Sequence, residues 1–367
     1  ATCYMNSLLQ ALFYTPEFRQ ILYRWRFDPA AHGDAARSIP LQLQRLFAQL
    51  QLTRVSAVST KPLTAAFGFS DAESREQHDV QELCRVLFDA LGRSAPALAQ
   101  EIDHLYSGKT THYLRSQEAA EDGRMPESCR EEKFLDLQVP IEGCDTLEEA
   151  LRKLVEAEVL EGDNQWFCDE LGRKVDAQKG VSFSTLPNIL CLQLLRFVFD
   201  LTTMRRRKLT EALSVPVEAD FGFLLGPNWQ AVFELTALCC HSGTAHGGHY
   251  HAFIREGSGR PWRDANDARV RVVGAEQERG LFAPRKASSE GPRAVASSDA
   301  YFLVYRRKNH DIPEVPDESV PEPHRSELLE ENVRLANLQR AYEVHRQLME
   351  IKVYAPIASQ LALRRHV

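Results

Sequence analysis

The sequence has few of the features that mark secreted or membrane proteins. It contains 8 cysteines in 367 residues, and only Cys239 and Cys240 lie close together in the sequence. Small secreted domains carry much denser cysteine patterns, so a disulfide framework is excluded and the thiols are expected to be reduced. Apolar runs are also short, and none approaches the ~20 residues that a membrane-spanning helix needs.

The overall charge is mildly acidic. The formal net charge of −7 and a pI of about 6.0 argue against a nucleic-acid-binding protein and fit a partner with a basic surface. Apolar residues make up 44% of the chain and charged residues 26%, which is ordinary for a globular protein of at most two or three domains. The sequence starts at Ala1 without an initiator Met or a signal sequence, so we expect it to be a fragment.

Three segments far apart in the sequence together predict a nucleophilic site. Cys3, His249 and the pair Asn266 and Asp267 follow the chain order of papain-like proteases. A free thiol is only a few per cent thiolate at neutral pH, and a nearby imidazole can remove its proton. We therefore predict Cys3 as nucleophile and His249 as its base, although a lone cysteine or histidine is more often structural.

The residue that orients His249 is less clearly indicated. Adjacent residues of an extended strand point to opposite faces, so only one of Asn266 and Asp267 can easily reach the Nδ1 atom of His249. The residues by themselves leave both candidates open. Three other histidines are interpreted as structural or as lining the substrate channel: His241, His246 and His251.

An amphipathic helix is predicted directly after Cys3. Apolar side chains recur there at helical spacing, and Pro16 is expected to end the helix. The resulting stripe would anchor the cysteine against a core. It consists of Met5, Leu8, Leu9, Leu12 and Phe13.

A second helix is predicted from Ser74 to Gly92. Ser74 and Gln77 have the spacing of a capping box, and Gly92 is a typical end signal. Asp79 and Glu82 are i, i+3 neighbours, so they would share one surface. That surface is either a solvated acidic face or a contact for arginines of a partner.

The second half of the sequence predicts a β-sheet. Short apolar or alternating runs occupy residues 180–184, 189–199, 233–240, 249–255 and 300–305. Gly247 and Gly248 precede the predicted base, and glycines allow close backbone approach or positive φ. Such a pair would suit a narrow channel for an extended substrate tail.

The functional segments resemble those of the ubiquitin-specific proteases. Residues 1–10 are similar to the family's cysteine box, and residues 241–250 together with Trp262 are similar to its histidine box. Residues 77–87 resemble a third motif in the form carried by the herpesvirus-associated branch. The resemblance covers about residues 1–308. It implies an α+β, papain-like cysteine protease with thumb, palm and fingers subdomains, a helical N-terminal half and an antiparallel β-sheet in the C-terminal half.

The resemblance also implies roles for individual residues. It assigns the triad to Cys3, His249 and, by its distance from His249, Asn266, with Asp267 as the reserve. Contacts with ubiquitin, including its basic tail, are expected from six residues: Asp79, Gln81, Glu82, Tyr250, Gly247 and Gly248.

The sequence departs from the family pattern in two places. An aromatic residue usually stands at the position of Ala265, so this loop is expected to pack more loosely. A family asparagine that helps to form the oxyanion hole lies a few residues upstream of the nucleophile, and this sequence begins too close to Cys3 to include it. The donor that can be named is the backbone N–H of Cys3 at the start of a helix.

The resemblance raises the question of a zinc site. Many family members bind zinc through two Cys-x-x-Cys pairs in the fingers. The corresponding positions here are Ser116, Ala119, Cys168 and Leu171, so one thiol of four is present. We therefore predict no zinc, and the proposed thiolate chemistry needs no other cofactor.

Composition changes after the predicted catalytic domain, which we place at residues 1–308. Residues 309–325 are rich in proline and acidic residues and predict a stiff linker. Residues 326–350 predict a charged spacer or docking helix. Residues 351–356 look like a first strand. Because ubiquitin-like domains follow the catalytic domain in the branch resembled here, the resemblance implies that 351–367 begin such a domain and that further domains follow.

The sequence as a whole predicts a deubiquitinating thiol protease that cleaves the peptide or isopeptide bond after the C-terminal glycine of ubiquitin. The expected partners are ubiquitin and ubiquitinated proteins, with no nucleic acid and no membrane. The expected location is the cytoplasm, the nucleus or both. Three alternatives stay open: a ubiquitin-binding pseudo-protease, a protease for another ubiquitin-like modifier and a hydrolase of small esters.

Overall fold

The N-terminal third of the molecule is helical. The computed structural model describes residues 2–68, 79–245, 247–257, 259–281, 293–308 and 311–363, with side chains described as far as residue 346 in the last range. Its helices are α1 (Cys3–Phe13), α2 (Pro16–Arg24), α3 (Pro29–His32), α4 (Ile39–Leu52), α5 (Lys61–Ala66), α6 (Val80–Ser94), α7 (Pro96–Tyr106), α8 (Leu147–Leu154), α9 (Ala275–Leu281) and α10 (His324–Leu363).

Strands dominate from residue 108 to residue 307. They are β1 (Gly108–Ser116), β2 (Glu127–Phe134), β3 (Leu137–Pro140), β4 (Glu158–Leu160), β5 (Trp166–Cys168), β6 (Arg173–Val175), β7 (Ala177–Thr185), β8 (Ile189–Leu195), β9 (Phe197–Asp200), β10 (Arg205–Lys208), β11 (Leu213–Pro216), β12 (Glu218–Asp220), β13 (Val232–Thr244), β14 (Gly247–Ile254), β15 (Arg263–Asn266), β16 (Arg269–Val272), β17 (Ala294–Ser297) and β18 (Ala300–Arg307). The five predicted strand regions are confirmed, and so is the α+β fold class.

The largest sheet, which we call the central sheet, has eight strands. Seven follow the order β16-β15-β14-β13-β18-β8-β3, and β12 pairs with β13. All these pairs are antiparallel except β3 with β8. Because β14 and β15 are antiparallel neighbours, the start of β14 and the end of β15 lie at the same end of the sheet.

A second sheet extends from the central one. We call it the outlying sheet, and its four strands have the order β2-β1-β7-β4. The hairpin of β5 and β6 is a separate two-stranded unit, close to β1. Every residue of β2 is exposed or partly exposed, so this sheet contributes little to the main cores.

Two hydrophobic cores flank the central sheet. Along β13, Ala237 and Cys239 belong to the core that also contains the apolar stripe of α1, whereas Leu238 and Cys240 belong to the core on the other face. This alternation is the period of two that a strand imposes on its side chains. Burial on both faces explains why the sequence of β13 is apolar without interruption from Leu235 to Cys240 except at Thr236.

Helix α1 forms as its apolar periodicity predicts. It begins at Cys3 and ends at Phe13, and Pro16 then starts α2, where a missing backbone N–H is tolerated. The whole predicted stripe is buried. Helix α1 packs against β13, β14 and β15, and this contact carries Cys3 to the central sheet.

Helix α6 differs from its prediction at both ends. Asp79 is its N-cap and Val80 its first residue, and the helix continues past Gly92 to Ser94. The predicted start at Ser74 lies outside the described residues. Gly92 does not end the helix because nothing there requires a positive φ, and the next helix begins only at Pro96.

The C-terminal region also differs from its prediction. Helix α10 is continuous from His324 to Leu363, so the strand expected at 351–356 was wrong. Extending an existing helix costs less than nucleating new structure, and a strand needs a neighbouring strand for its hydrogen bonds. The start of a further domain at 351–367 stays a prediction. None of the described helices combines the length and the apolar character that crossing a membrane requires.

Candidate active site

Cys3 lies at the N-terminus of α1 in the core beneath the helix. Its side chain is 4% exposed and belongs to the same cluster as Tyr250, Ala252 and Ala265 of the central sheet. The side chain of Thr2, the N-cap residue, makes no hydrogen bond to the first turn of the helix. Helix N-termini favour negative charge, so this position suits a thiolate and an oxyanion beside it.

His249 and Asn266 are brought together from neighbouring strands. His249 Nε2 lies 2.7 Å from Asn266 Oδ1. The amide oxygen can only accept, so the proton of the imidazole belongs on Nε2 and the lone pair on Nδ1. The prediction placed the contact at Nδ1, and this detail was wrong. The observed contact leaves Nδ1 as the nitrogen that can take a proton.

Asp267 has a different partner. Its carboxylate accepts a hydrogen bond from the Asn6 side chain, with 2.7 Å between Asn6 Nδ2 and Asp267 Oδ1. Asp267 follows the last residue of β15 and has a φ of 50°, a left-handed conformation that aspartate tolerates better than most residues. Asp267 therefore ties the turn between β15 and β16 to helix α1.

Ala265, where looser packing was expected, lies in strand β15 and is tightly packed. Ala265 is 3% exposed and lies opposite Ala252 on one side and Val270 on the other. It belongs to the core shared with α1. The small side chain that suggested loose packing is thus buried between strands and helix.

The glycines before His249 permit a close approach of two strands. A Cβ atom on Gly248 would lie 2.3 Å from the Ser242 carbonyl oxygen and 2.6 Å from His241 Nε2, closer than side-chain atoms can come. Close approach, rather than positive φ, is therefore the reason for glycine at this position. Gly247 and Gly248 are both exposed.

Asp79 lies in a polar cluster between the start of α6 and strands β8 and β18. It caps α6 by accepting from the backbone N–H of Gln81 at 2.8 Å, and the Tyr301 hydroxyl donates to it. Gln193 Nε2 donates to Tyr301 at 2.7 Å and lies 3.4 Å from Asp79 Oδ1. Burial, and then the charge of Asp79, raises the pKa of Tyr301. Asp79 precedes the helix and is half-buried, whereas Glu82 is exposed. Of the two alternatives for this acidic pair, the fully solvated face therefore does not describe Asp79.

Two of the residues predicted to contact ubiquitin, Gln81 and Tyr250, have buried side chains with partners inside the protein. Gln81 is 5% exposed and donates to Asp136 Oδ2 at 2.7 Å. Tyr250 is 3% exposed and packs edge-on against His241 and Tyr301. Burial, followed by the charge of Asp79, raises the pKa of Tyr250. Helix and strand periodicity turn both side chains inward, and their contact with ubiquitin stays a prediction.

Histidines near His249 are buried to different degrees. His241 is 2% exposed, and burial followed by the charge of Lys208 lowers its pKa. Burial also lowers the pKa of His251. Both fit the structural interpretation. His246 lies outside the described residues.

Sequence reasoning missed three residues around the site. Asn6 carried a signal, since it lies one turn after Cys3 on the side of α1 that the apolar stripe leaves open. Gln193 and Tyr301 carried none, because their contacts with Asp79 join residues separated by 114 and 222 positions.

The positions compared with a zinc site have other surroundings. Ser116 Oγ donates to the Glu118 carbonyl oxygen at 2.8 Å, and Cys168 is 1% exposed. Within the described ranges, no three side chains of His, Cys, Asp or Glu are grouped as metal ligands. The expected absence of zinc stays a prediction.

The arrangement defines a class of protein. A cysteine at a helix N-terminus, packed on an antiparallel sheet that carries a histidine and asparagine pair, is the papain-like arrangement of a thiol protease. A family model described as ubiquitin carboxyl-terminal hydrolase matches residues 1–305. The chain belongs to this family and carries the domain of a cysteine-type ubiquitin hydrolase.

Curated relatives agree with this assignment. Ubiquitin carboxyl-terminal hydrolase 47 of Homo sapiens is 32% identical over 96% of this chain and 30% of the relative. The protein of the same name from Drosophila melanogaster is 32% identical over 92% of this chain and 27% of the relative. Ubiquitin C-terminal hydrolase 12 of Arabidopsis thaliana is 37% identical over 84% and 29%. The chain thus spans less than a third of the length of these relatives.

Proposed function

We propose that this protein is a deubiquitinating thiol protease that cleaves the peptide or isopeptide bond after the C-terminal glycine of ubiquitin. The observation that carries the proposal is the 2.7 Å contact between His249 Nε2 and Asn266 Oδ1, on strands packed against the helix that begins at Cys3. Membership of the ubiquitin carboxyl-terminal hydrolase family supports the substrate class.

In the proposed reaction, Cys3 is the nucleophile and His249 the base. Nδ1 of His249 takes the thiol proton, and the sulfur attacks the carbonyl carbon of the terminal glycine. The imidazolium then protonates the leaving amine, and a thioester remains. Water, deprotonated by His249, hydrolyses the thioester and releases the carboxylate of ubiquitin. Asn266 keeps the Nε2 proton in place through both steps.

The N-terminus of α1 is proposed to stabilise the oxyanion. The backbone N–H of Cys3 lies at the positive end of the helix dipole, where negative charge is favoured. Such donors contribute strongly because they are already oriented when the charge develops.

Asn6 is proposed as a positioning residue. Its hydrogen bond to Asp267 joins α1 to the residue that follows Asn266. Because Cys3 lies one turn before Asn6, this one contact couples the position of the nucleophile to that of the asparagine that orients His249.

For the ubiquitin tail we propose a path over four residues. Asp79 and Glu82 would accept from tail arginines, and Gly247 and Gly248 would form the wall of the channel. Glu82 and both glycines are exposed, and Asp79 is partly so, which supports these contacts. Reaching Asp79 requires an arginine to compete with Tyr301.

Finer assignments are also proposals. The form of residues 77–87 supports placement in the herpesvirus-associated branch, and likeness to hydrolase 47 of several animals is compatible with it. We also propose that its substrates are ubiquitinated proteins and that it is located in the cytoplasm, the nucleus or both. Nucleic acid and membranes are not among the proposed partners. We propose that residues 1–308 form the catalytic domain and that residues 309–325 form a linker, as the sequence predicts.

Covalent trapping tests the proposal. The protein is incubated with ubiquitin that carries a C-terminal electrophile, alongside Cys3→Ala and His249→Ala variants. An adduct that is absent in Cys3→Ala and strongly slowed in His249→Ala is expected. Ubiquitin binding without any adduct would contradict the proposal and favour a pseudo-protease, and a faster reaction with another ubiquitin-like modifier would change the substrate class.

A further inference from the structure

A groove of about 650 Å³ begins beside the proposed catalytic residues. It lies between α1, the segment from Thr53 to Lys61 and the turn between β15 and β16. Its apolar lining includes the buried Leu9, Phe13 and Leu46. The mechanism proposed above assigns no role to it.

The groove is continuous with the site. The N-cap residue Thr2 lines it together with Asn6, Leu9 and Phe13 of α1 at helical spacing. These residues form one stripe that starts at the residue before Cys3. Asp267 of the opposite wall directly follows Asn266. One end of the groove is therefore next to the nucleophile and the asparagine of the site.

The position of the groove separates it from the glycine channel. Gly247 and Gly248 are the first residues of β14, next to the turn from β13, whereas Asp267 belongs to the turn of β15 and β16. Both turns lie at the same end of the central sheet, and the contact between His249 and Asn266 lies between them. If the ubiquitin tail enters past the glycines, the turn between β15 and β16 faces the part of the substrate on the other side of the cleaved bond, which is the leaving group.

The edge of the sheet favours an extended occupant. Strand β16 is the outer strand of the central sheet in the described chain, and all four of its residues are exposed. An open strand edge can pair with an extended peptide through main-chain hydrogen bonds. Val270 of this strand is 42% exposed and lines the groove, as does Val55 at 43%.

The charges around the groove favour an acidic occupant. Lys61 is exposed and lines the groove. Arg269 and Arg271 flank Val270 on the edge strand and are exposed. The carboxylate of Asp267, which also lines the groove, is bound by Asn6.

We propose that this groove binds the substrate polypeptide that flanks the modified lysine, in extended form, with an apolar side chain between Val55 and Val270 and an acidic residue near Lys61. The proposal rests on the function proposed above and adds a leaving-group subsite to it. It predicts that the enzyme distinguishes ubiquitinated lysines by their neighbouring residues.

The experiment compares three substrates with the leaving group varied. Ubiquitin is joined through its terminal carboxyl to the side chain of a blocked lysine, of a lysine peptide with leucine and aspartate neighbours, or of one with glycine and serine neighbours. The leucine and aspartate peptide is expected to have about a tenfold higher kcat/KM than the glycine and serine peptide, as one apolar side chain in a pocket provides.

Two pairs of variants locate the preference. Val270→Asp is expected to abolish it and to leave the blocked-lysine substrate unchanged, whereas Val272→Asp is the control, since Val272 is on the same strand, is 57% exposed and is not part of the groove lining. Lys61→Glu is expected to reduce the preference for the leucine and aspartate peptide, because the aspartate would then lie near a second carboxylate. Lys174→Glu, at an exposed position on β6, is its control.

The outcomes separate the two proposals. Equal kcat/KM on both peptides, with the blocked-lysine substrate cleaved, would overturn the groove proposal and leave the proposed function standing. An equal loss on all three substrates in Val270→Asp would also overturn it, because that pattern indicates a structural effect. If none of the ubiquitin substrates is cleaved, the proposed function and the groove proposal both fail.

Discussion

The central sheet and the outlying sheet are built from strands of similar length in different surroundings. In β8 of the central sheet, Ile189 to Leu194 are all buried, whereas in β2 every residue is at least partly exposed. The central sheet carries Asn266 and His249, and its contacts with α1 join the site to the core. Packing can therefore transmit a change in the central sheet to the site, whereas the residues of the outlying sheet can change without affecting it.

Ion pairs show the same contrast. Arg306 Nε on β18 lies 2.9 Å from Glu17 Oε1, and their side chains are 1% and 6% exposed. Lys109 on β1 lies 2.7 Å from Glu131, and both are about half exposed. Removing one partner of a buried pair leaves an uncompensated charge in the core, whereas an exposed pair is replaced by water.

The largest expected effect concerns His249. His249→Ala removes the proposed base, so kcat/KM on a fluorogenic ubiquitin substrate is expected to fall by at least about 10³-fold, with circular dichroism unchanged. His112→Ala, at an exposed histidine of the outlying sheet, is expected to leave the rate unchanged. A rate for His249→Ala within tenfold of the unmodified protein would contradict the assignment.

A large effect on stability is expected at the buried pair. Glu17→Ala removes the nearer carboxylate of Arg306, whose Nη1 stays 3.8 Å from Glu234 Oε1. The substitution is expected to lower the free energy of unfolding by up to about 3–5 kcal/mol, measured by urea denaturation. Glu131→Ala in the outlying sheet is expected to change it by at most about 1 kcal/mol. Equal effects of the two substitutions would remove the distinction between the sheets.

Stability is also expected to depend on pH through the central sheet. Burial lowers the pKa of His251 in the folded protein, and the unfolded value is about 6.5. Below about pH 6.5 the unfolded chain therefore binds more protons, so stability falls as pH decreases and is fully present above that pH. His251→Gln is expected to flatten this slope by up to about 1.4 kcal/mol per pH unit. Urea denaturation at several pH values measures it, and identical slopes would refute the role of His251.

A smaller effect is expected at the contact between α1 and the turn after β15. Asn6→Ala removes the donor to Asp267 and is expected to lower kcat about tenfold, as loss of one positioning hydrogen bond does, with KM unchanged. Asn6→Asp places a second carboxylate beside Asp267 and is expected to lower kcat further. A change confined to KM would indicate a role in binding instead.

The smallest effect is expected from the outlying sheet itself. Arg115 and Glu127 form a surface pair between β1 and β2 at 2.9 Å. Arg115→Ala is expected to change the free energy of unfolding by less than about 1 kcal/mol and to leave kcat unchanged. A loss of activity without a loss of stability would show that this sheet reaches the site after all.

Much of the fold followed from local patterns. The apolar spacing of Met5 to Phe13 predicted α1, and alternating or continuous apolar runs predicted the five strand regions. The strand predicted at 351–356 was wrong. An apolar alternation of only a few residues is compatible with either a strand or a helix. Helix continuity from α10 decided in favour of the helix.

The candidate site divides in the same way. Chain order and motif resemblance indicated Cys3, His249 and Asn266, and the structure places the last two in contact. The partners of Asp79, Gln81 and Tyr250 could not be read from the sequence. Tyr301 donates to Asp79, Gln81 donates to Asp136, and Tyr250 packs against Tyr301, and these partners lie in distant parts of the chain.

The sequence by itself determined the helix that presents Cys3, the strands that carry His249 and Asn266, and the membership in a family of cysteine hydrolases. These depend on spacing and chemistry within short segments, which the linear order contains. Only the tertiary structure decided that Asn266 meets Nε2, that Asn6 holds Asp267, and that a groove opens beside α1. Those features depend on how closely elements far apart in the chain pack against each other, and local periodicity carries no information about that distance.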